Sequence, residues 1–422
     1  DGLLFLASCK ILIVMSLQAI IIGSSHAGAN VAYNLRKDGF NGKIDLFTKE
    51  KIFPYHRPPL SKDFLKNHTT IDKLFFKPEK FYAENHINIH TQSEVDSINP
   101  ENQYINVSGS QFSYDSLVLA TGSSPRKLNL ENSEADNILY LRDISDASKI
   151  KTYIEAVEHI TLIGGGYIGL EVAAAIIESG KMVTILELED RILKRVTSEE
   201  ISNFYHNYHS KKGVDIRCGT GLETIQMEGN KMISVRLTNT ETLKTDCLIV
   251  GIGAIPNVDL AEAAGIKCNN GIVVDQFCRT SNPHVLAAGD CTFHFNTLLQ
   301  QNLRLESVPN ALAQSKVVSS SILGNDLEYS DFPWFWSDQY DLKLQMAGLS
   351  HGFDECFIYG DLNNANFIAC YGKNDTLISV DSVNSSKGFM LFKKALSNGH
   401  RISMSLIKDK SFSPENIFSG TS

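Results

Sequence analysis

A chain of 422 residues is long enough for two to four domains. At 43% hydrophobic and 21% charged it has the composition of an ordinary soluble globular protein, and its net charge of −9 argues against nucleic acid as a main partner. The eight cysteines (Cys9, Cys218, Cys247, Cys268, Cys278, Cys291, Cys356 and Cys370) contain no Cys-x-x-Cys pair and no zinc spacing. Scattered thiols of this kind suit a reducing cytoplasm.

Residues 1–14, DGLLFLASCKILIV, precede a Met15-Ser16 that reads as a natural start ahead of the first strand. The apolar run lacks the basic leader and cleavage site of a signal peptide. It is too short to span a bilayer, and Lys10 interrupts it. Residues 1–15 are therefore expected to be an extension outside the fold, with a short hydrophobic anchor as the alternative. No other segment has the character of a membrane span.

Residues 17–23 read as a buried strand and 27–37 as a helix, with Gly39 just past its end. The junction, AIIIGSSHAGANVA, places Gly23, Ser25 and Gly28 in the positions of a dinucleotide-binding fingerprint. Residues 43–47 form the next strand, followed by Glu50 as a ribose ligand. The Pro-rich FPYHRPPLSK (53–62) cannot be regular helix or strand at its centre. Short β-type runs fill 87–113, and a buried strand at 116–120 ends in Thr121-Gly122.

The pattern then repeats. A strand at 160–164, a helix at 169–179 and a strand at 182–187 carry ITLIGGGYIGLEVAAA, with Gly164, Gly166 and Gly169 in the fingerprint and Glu187 as the acid. Alternating runs follow at 224–243, and 247–251 closes the unit. Even the closing turns echo one another, ATGSSPR at 120–126 and GIGAIPN at 251–257, which points to a duplicated unit. In each copy the first glycine permits the tight turn and the second lets backbone approach a pyrophosphate. The third lets helix and strand pack closely, with the helix N-terminus facing the phosphates. Ser25 departs from the pattern, and is read as a small residue that still fits.

After the second copy, 281–292 gives a strand ending in Gly289-Asp290. ESVPNALAQSKVVSSSILG reads as a helix with Pro309 in its first turn and Gly324 at its end. From Asp331 the composition changes, with Pro333, Trp334 and Trp336 clustered, strands over 342–380 and a helix over 387–397. The expected fold class is α/β. Two Rossmann-like domains, 16–125 with 251–329 and 126–250, are joined by a smaller C-terminal α+β domain, 330–422.

The motifs GSSHAG, RPPLSK, LATGSSPR, GGGYIGLEVAA, GIGAIPNVDL, AAGDC, ESVPNALAQ and PWFWSDQ run from about residue 17 to 349. Together they resemble the FAD-dependent, NADH-oxidising ferredoxin and rubredoxin reductases that serve oxygenases and cytochromes P450. RPPLSK and PWFWSDQ are the specific ones. The resemblance implies an FAD site built from Gly23, Ser25, His26, Ala27, Gly28, Glu50, Val95, Ala120, Thr121 and Gly122, with His26 given no chemical role of its own. It places Arg57, Lys62 and Arg142 along the flavin, Gly289 and Asp290 at the ribityl chain, and Val308 at a helix N-terminus aimed at the ring. The NADH site it implies contains Gly164, Gly166, Tyr167, Ile168, Gly169, Glu187, Arg195 and Gly253. The implied reaction residues are Lys62, Glu171 and Trp336, with Lys62 and Glu171 paired.

Each role has a bland alternative: a solvated lysine at Lys62, core packing at Trp336, a turn aspartate at Asp290, a helix-dipole partner at Glu171. Hydride transfer needs no general base, so no Ser-His-Asp set is expected. No cysteine lies between Cys9 and Cys218, which excludes a dithiol beside the flavin at residues 50–70. Glu187 is expected to favour NADH over NADPH, with Arg191 and Arg195 able to soften that preference. The implied partner is an acidic [2Fe–2S] ferredoxin or a rubredoxin, met by Lys66, Lys73, Lys316, Lys393 and Lys394. The expected state is a cytoplasmic monomer or weak homodimer, without membrane or nucleic acid. The competing functions are reduction of a small-molecule radical or quinone, and a regulatory flavoprotein resembling apoptosis-inducing factor.

Overall fold

The computed structural model describes residues 17–418; the expected extension at 1–15 lies outside the described residues. The apolar run QAIII forms the strand Gln18–Ile22 at the centre of a five-stranded parallel sheet. Across the sheet the order is Val285–Ala287, Ser116–Leu119, Gln18–Ile22, Lys43–Phe47 and Ile87–His90. Both faces are covered at Gln18–Ile22, Ser116–Leu119 and Val285–Ala287, which is why these three read as near-continuous apolar runs, whereas the edge strand Ile87–His90 alternates.

The second sheet repeats the arrangement. Asp215–Arg217, Met182–Leu186, His159–Ile163, Cys247–Val250 and Ile138–Tyr140 are again all parallel. The sheets differ in their outermost strand. The second borrows Ile138–Tyr140 from just before it, whereas the first is completed only when the chain returns at Val285–Ala287. Each carries a three-stranded antiparallel meander, at Ser97–Asn99, Tyr104–Val107 and Ser110–Ser113, and at Leu222–Glu228, Lys231–Leu237 and Thr242–Lys244. The two echoing turns pair with each other, Ser123–Pro125 running antiparallel to Ala254–Pro256. This two-stranded ribbon carries the chain between the units.

The third sheet is antiparallel, in the order Trp334–Gln339, Leu342–Gly348, Thr376–Val383, Asn366–Lys373, Glu355–Asp361. One face packs Leu342, Leu344 and Phe367 against Leu170, Ile201 and Tyr205 of the second unit. The other is covered by the helix Ser386–Ser397 through Phe389 and Phe392. The fingerprint helices start slightly earlier than the sequence pattern suggests, at His26 and Tyr167, because Ser25 and Gly166 are already the extended N-cap residues. A hairpin at Thr292–Asn296 and Gln301–Leu303 had no sequence counterpart; its turn contains neither Gly nor Pro.

Candidate active site

The two fingerprints fold into the same turn twice. Gly23 and Gly164 both have left-handed φ, +106° and +103°. A Cβ at Gly23 would overlap the Ala120 carbonyl oxygen, and one at Gly164 that of Gly251. Gly28 and Gly169 are equally obligatory, each pressed on the carbonyl of the first glycine of its own motif. At Gly166, by contrast, a Cβ would meet open space, which explains why its counterpart can be Ser25. The serine is also used: its Oγ accepts a hydrogen bond from Arg57 Nε at 2.8 Å.

Neither fingerprint helix has a side-chain cap on its N-terminus, and neither has an acid in its first turn. Their first N–H groups are open to an anion. In the first cleft, burial holds the His26 imidazole neutral and down to about 3, helped by His56, Arg57 and Arg142, and its Nε2 is buried without a partner. The bare glycine turns and open helix N-termini fit a dinucleotide in each unit, and the orphaned imidazole nitrogen adds to the fit in the first.

The first cleft, of about 200 Å³, gathers Ser25, His26, Ala27, Arg57, Lys62, Ala120, Gly122, Arg142, Glu171, Gly289, Asp290, Val308 and Trp336. Lys62 Nζ lies 2.7 Å from Glu171 Oε2. The buried Glu171 also accepts from Ser61 Oγ at 2.5 Å and Ser337 Oγ at 2.6 Å, so every part of the carboxylate is matched. Asp290 is approached by Arg142 Nη2 and Ser123 Oγ, each at 3.2 Å. The Gly289 turn is fixed from behind by Gln314, whose Oε1 accepts from Gly289 N at 2.7 Å. The helix Val308–Ile322 points its N-terminus at the cleft, capped by Ser307.

The second cleft is larger, about 590 Å³, and holds Gly166, Tyr167, Ile168, Gly169, Glu187, Arg195 and Gly253. Glu187 accepts from Gly165 N at 2.7 Å and Glu189 N at 2.9 Å, an orientation fixed by backbone alone. Asp381 lies on its floor; burial pushes this carboxyl up to about 7, while Tyr371 donates to it at 2.5 Å. Leu141, Arg142, Ile168, Asp290, Ser307 and Phe335 line both clefts, so the two spaces share one wall.

Not every expected residue is in a cleft. Val95 is buried in the core beside the first sheet, and Thr121 ties the ribbon by donating to the Asn257 carbonyl at 2.7 Å. Glu50 stands outside the first cleft, its two oxygens taken by Arg57 and by the Tyr55 hydroxyl. Arg191, expected to soften the nucleotide preference, donates its guanidinium to the carbonyls of Lys194, Thr197 and Ser198. Among the expected docking cations, Lys66 is engaged with Glu178 at 2.9 Å.

Residues 17–315 match the family model described as pyridine nucleotide-disulphide oxidoreductase, and 334–417 that described as reductase C-terminal. Putidaredoxin reductase of Pseudomonas putida is 38% identical over 93% of this chain and 94% of its own. A ferredoxin–NAD(P)+ reductase of a Sphingomonas species is 37% identical over 89% and 91%. The crystal structure of a covalent putidaredoxin reductase–putidaredoxin complex superposes with a TM-score of 0.92 at 37% identity, covering 95% of this chain and 98% of that one. The chain belongs to the ferredoxin–NAD reductases of the pyridine nucleotide-disulphide oxidoreductase family.

Members of this family are FAD-dependent and use NAD(P)H. The disulphide in the family name has no counterpart among the described residues. Among the described residues all cysteines are free and none lines the first cleft. Cys291, next to Asp290, is buried and turns its Sγ to the carbonyls of Leu119 and Ala288 at 3.5 Å. Four contributors escaped the sequence reading although they lie inside its motifs: Ser61 of RPPLSK, Ser337 of PWFWSDQ, Gln314 of ESVPNALAQ and Gly165. Only burial and direction distinguish them from their neighbours, and a single sequence carries neither.

Proposed function

We propose that this reductase takes electrons from NADH in the second cleft, through FAD in the first, to a small iron–sulfur or rubredoxin carrier. The shared wall carries the reading, because two dinucleotide sites that open on one another let the two redox rings meet. When bound, FAD supplies the chemistry, accepting two electrons as hydride and releasing them singly.

The protein's own residues bind and orient. The uncapped helix His26–Lys37 and the Gly23 turn hold one pyrophosphate, and the helix Tyr167–Ile177 the other. Lys62, clamped by Glu171, holds a positive charge on the cleft wall, and Trp336 and Phe335 exclude water. The N-terminus of Val308–Ile322 favours negative charge on the ring system it faces. Glu187 accepts from the adenosine ribose and repels a 2′-phosphate, giving a preference for NADH.

The sheet memberships support the division into 16–125 with 251–329 for FAD, 126–250 for NAD, and 330–422 covering the flavin. Among the described residues no helix is long and apolar enough to cross a membrane. We place the enzyme in the cytoplasm, as a monomer or weak homodimer, with an acidic carrier as partner. The test is cytochrome c reduction by NADH with and without an added [2Fe–2S] ferredoxin. Strict dependence on the ferredoxin is expected; equal rates without it would overturn the assignment.

A further inference from the structure

Glu171 ends a hydrogen-bond chain that runs from the first cleft into the seam between the second unit and the third sheet. Its Oε1 accepts from Ser337 Oγ, and Ser337 Oγ accepts from Gln339 Nε2 at 3.1 Å. Gln339 Oε1 lies 2.8 Å from His209 Nε2, and His209 Nδ1 lies 3.1 Å from the Tyr340 hydroxyl. Ser337, Gln339 and His209 are at most 1% exposed, so water cannot stand in for any link.

The proton positions follow by elimination. An ionised carboxylate only accepts, so the one Ser337 hydroxyl proton goes to Glu171. Ser337 must then accept from Gln339, which turns the amide NH₂ toward Ser337 and the amide oxygen toward His209. His209 is thereby the Nε2–H tautomer, with Nδ1 accepting from Tyr340. Every donor in the chain points toward Glu171.

Two further observations fit a built device. Tyr340 sits at φ +55°, a left-handed hairpin position that normally takes Gly, Asn or Asp. That strain puts its ring against those of His209 and Tyr208, 5.0 and 5.6 Å between centroids. Burial also pushes His209 down to about 4, against the opposing Gln339 hydrogen bond and with His206 adding to the effect. The other charged groups at this end are Asp341, bonded to Tyr208, Lys212, over the Tyr208 and Tyr340 rings, and Glu178, which bears on Tyr340; at the cleft end stands Lys62.

We infer that Ser337, Gln339 and His209 are positioning residues for hydride transfer: the histidine orients a line of aligned donors that holds the Glu171 carboxylate in place and Lys62 clamped at the cleft wall. The inference rests on the role given above to Lys62 and Glu171. Long-range ¹⁵N–¹H correlation spectra of the holoenzyme read the tautomer directly. His209 is expected to carry its proton on Nε2 and to stay untitrated between about pH 5 and 8, where an ordinary histidine would titrate.

Ser337→Ala is expected to move the acid limb of the pH profile for flavin reduction by NADH upward by about one unit, since it removes a donor to a charged carboxylate. Ser337→Thr should restore the limb, and Gln339→Met serves if the alanine variant does not fold. A proton on Nδ1, or an ordinary titration of His209, overturns the inference. So does an unmoved limb in both variants alongside a lowered Tm, which would leave the chain as packing only. Failure of the Lys62 assignment is separable, because it shows in Lys62→Met and leaves the His209 spectrum unchanged.

Discussion

The two nucleotide units share one turn but secure their acidic residues differently. In the first, Glu50 is held by side chains, Arg57 and Tyr55, brought in by the Pro-rich segment, and Arg57 reaches on to Ser25 and the Arg142 carbonyl. In the second, Glu187 is oriented by the N–H groups of Gly165 and Glu189 and faces a cleft roughly three times larger. A cross-braced, narrow site suits a cofactor that stays, and an open site framed by backbone suits a nucleotide that comes and goes. On the proposed function, the duplication supplies one phosphate cradle twice, and the surrounding residues decide retention or exchange.

The most severe way to break that comparison is at the first glycines. Gly23→Ala adds a Cβ that overlaps the Ala120 carbonyl oxygen, at a φ that L-residues avoid. The purified variant is expected to contain almost no flavin by its visible spectrum. Gly164→Ala should keep its flavin and lose NADH reduction. If both variants lost flavin equally, retention would not be a property of the first unit.

Next in size is Lys62→Met, expected to slow flavin reduction by NADH about 100-fold in stopped-flow measurements, within the range for removing a group that stabilises developing charge. FAD content should change little, because Arg57, Asp290 and the Gly23 turn remain.

The contrast between the units also shows what could be read from residues alone. The duplicated turns and the parallel sheets were legible because each depends on local chemistry: a positive φ, an apolar run, a small residue at a close approach. The pairing of the two closing turns was visible only as an echo, since strand pairing across 130 residues leaves no local mark. Glu50's brace was hidden for the same reason. Arg57 stands seven residues from Glu50 but 32 from Ser25 and 85 from the Arg142 carbonyl, and nothing in RPPLSK says which it will meet. The bonds of Arg191 to three carbonyls of its own loop were hidden in the same way, since the sequence shows only an arginine near a ribose acid.

The floor of the second cleft gives a smaller effect, read as stability. Asp381 has its folded value raised to about 7 from an ordinary 3.8, so the folded state holds a proton that the unfolded state releases between those values. Stability is lost as pH rises through that window and stays lost above it. Asp381→Asn, which can keep the Tyr371 hydrogen bond, is expected to stabilise by about 2 kcal/mol at pH 8 and by progressively less toward pH 4. A gain independent of pH in thermal melts would contradict this account. Smaller again is Glu187→Gln, expected to cut the preference for NADH over NADPH in kcat/KM by about tenfold. Arg191→Ala should leave that ratio alone, because its guanidinium is spent on three carbonyls.

The mildest effect concerns the proposed docking face for the electron carrier. Of the expected docking cations, Lys66 is paired, Lys394 sits over the Phe418 ring at 5.1 Å and Lys393 over Trp334 at 3.8 Å. Lys316 is exposed on the helix Val308–Ile322, the one whose N-terminus faces the first cleft, and it and Lys393 both bear on Asp331. Because the chain as a whole carries −9, an acidic carrier gains only from such a local patch, and the gain is screened over about 10 Å at 0.1 M salt. Lys316→Glu is therefore expected to raise the KM for a [2Fe–2S] ferredoxin about threefold at low salt and hardly at all at high salt. NADH-to-ferricyanide turnover should be unchanged, since a small oxidant needs no docking patch. A ferredoxin KM indifferent to both salt and charge reversal would move the docking face elsewhere, leaving the retained flavin and the exchanging nucleotide as they are.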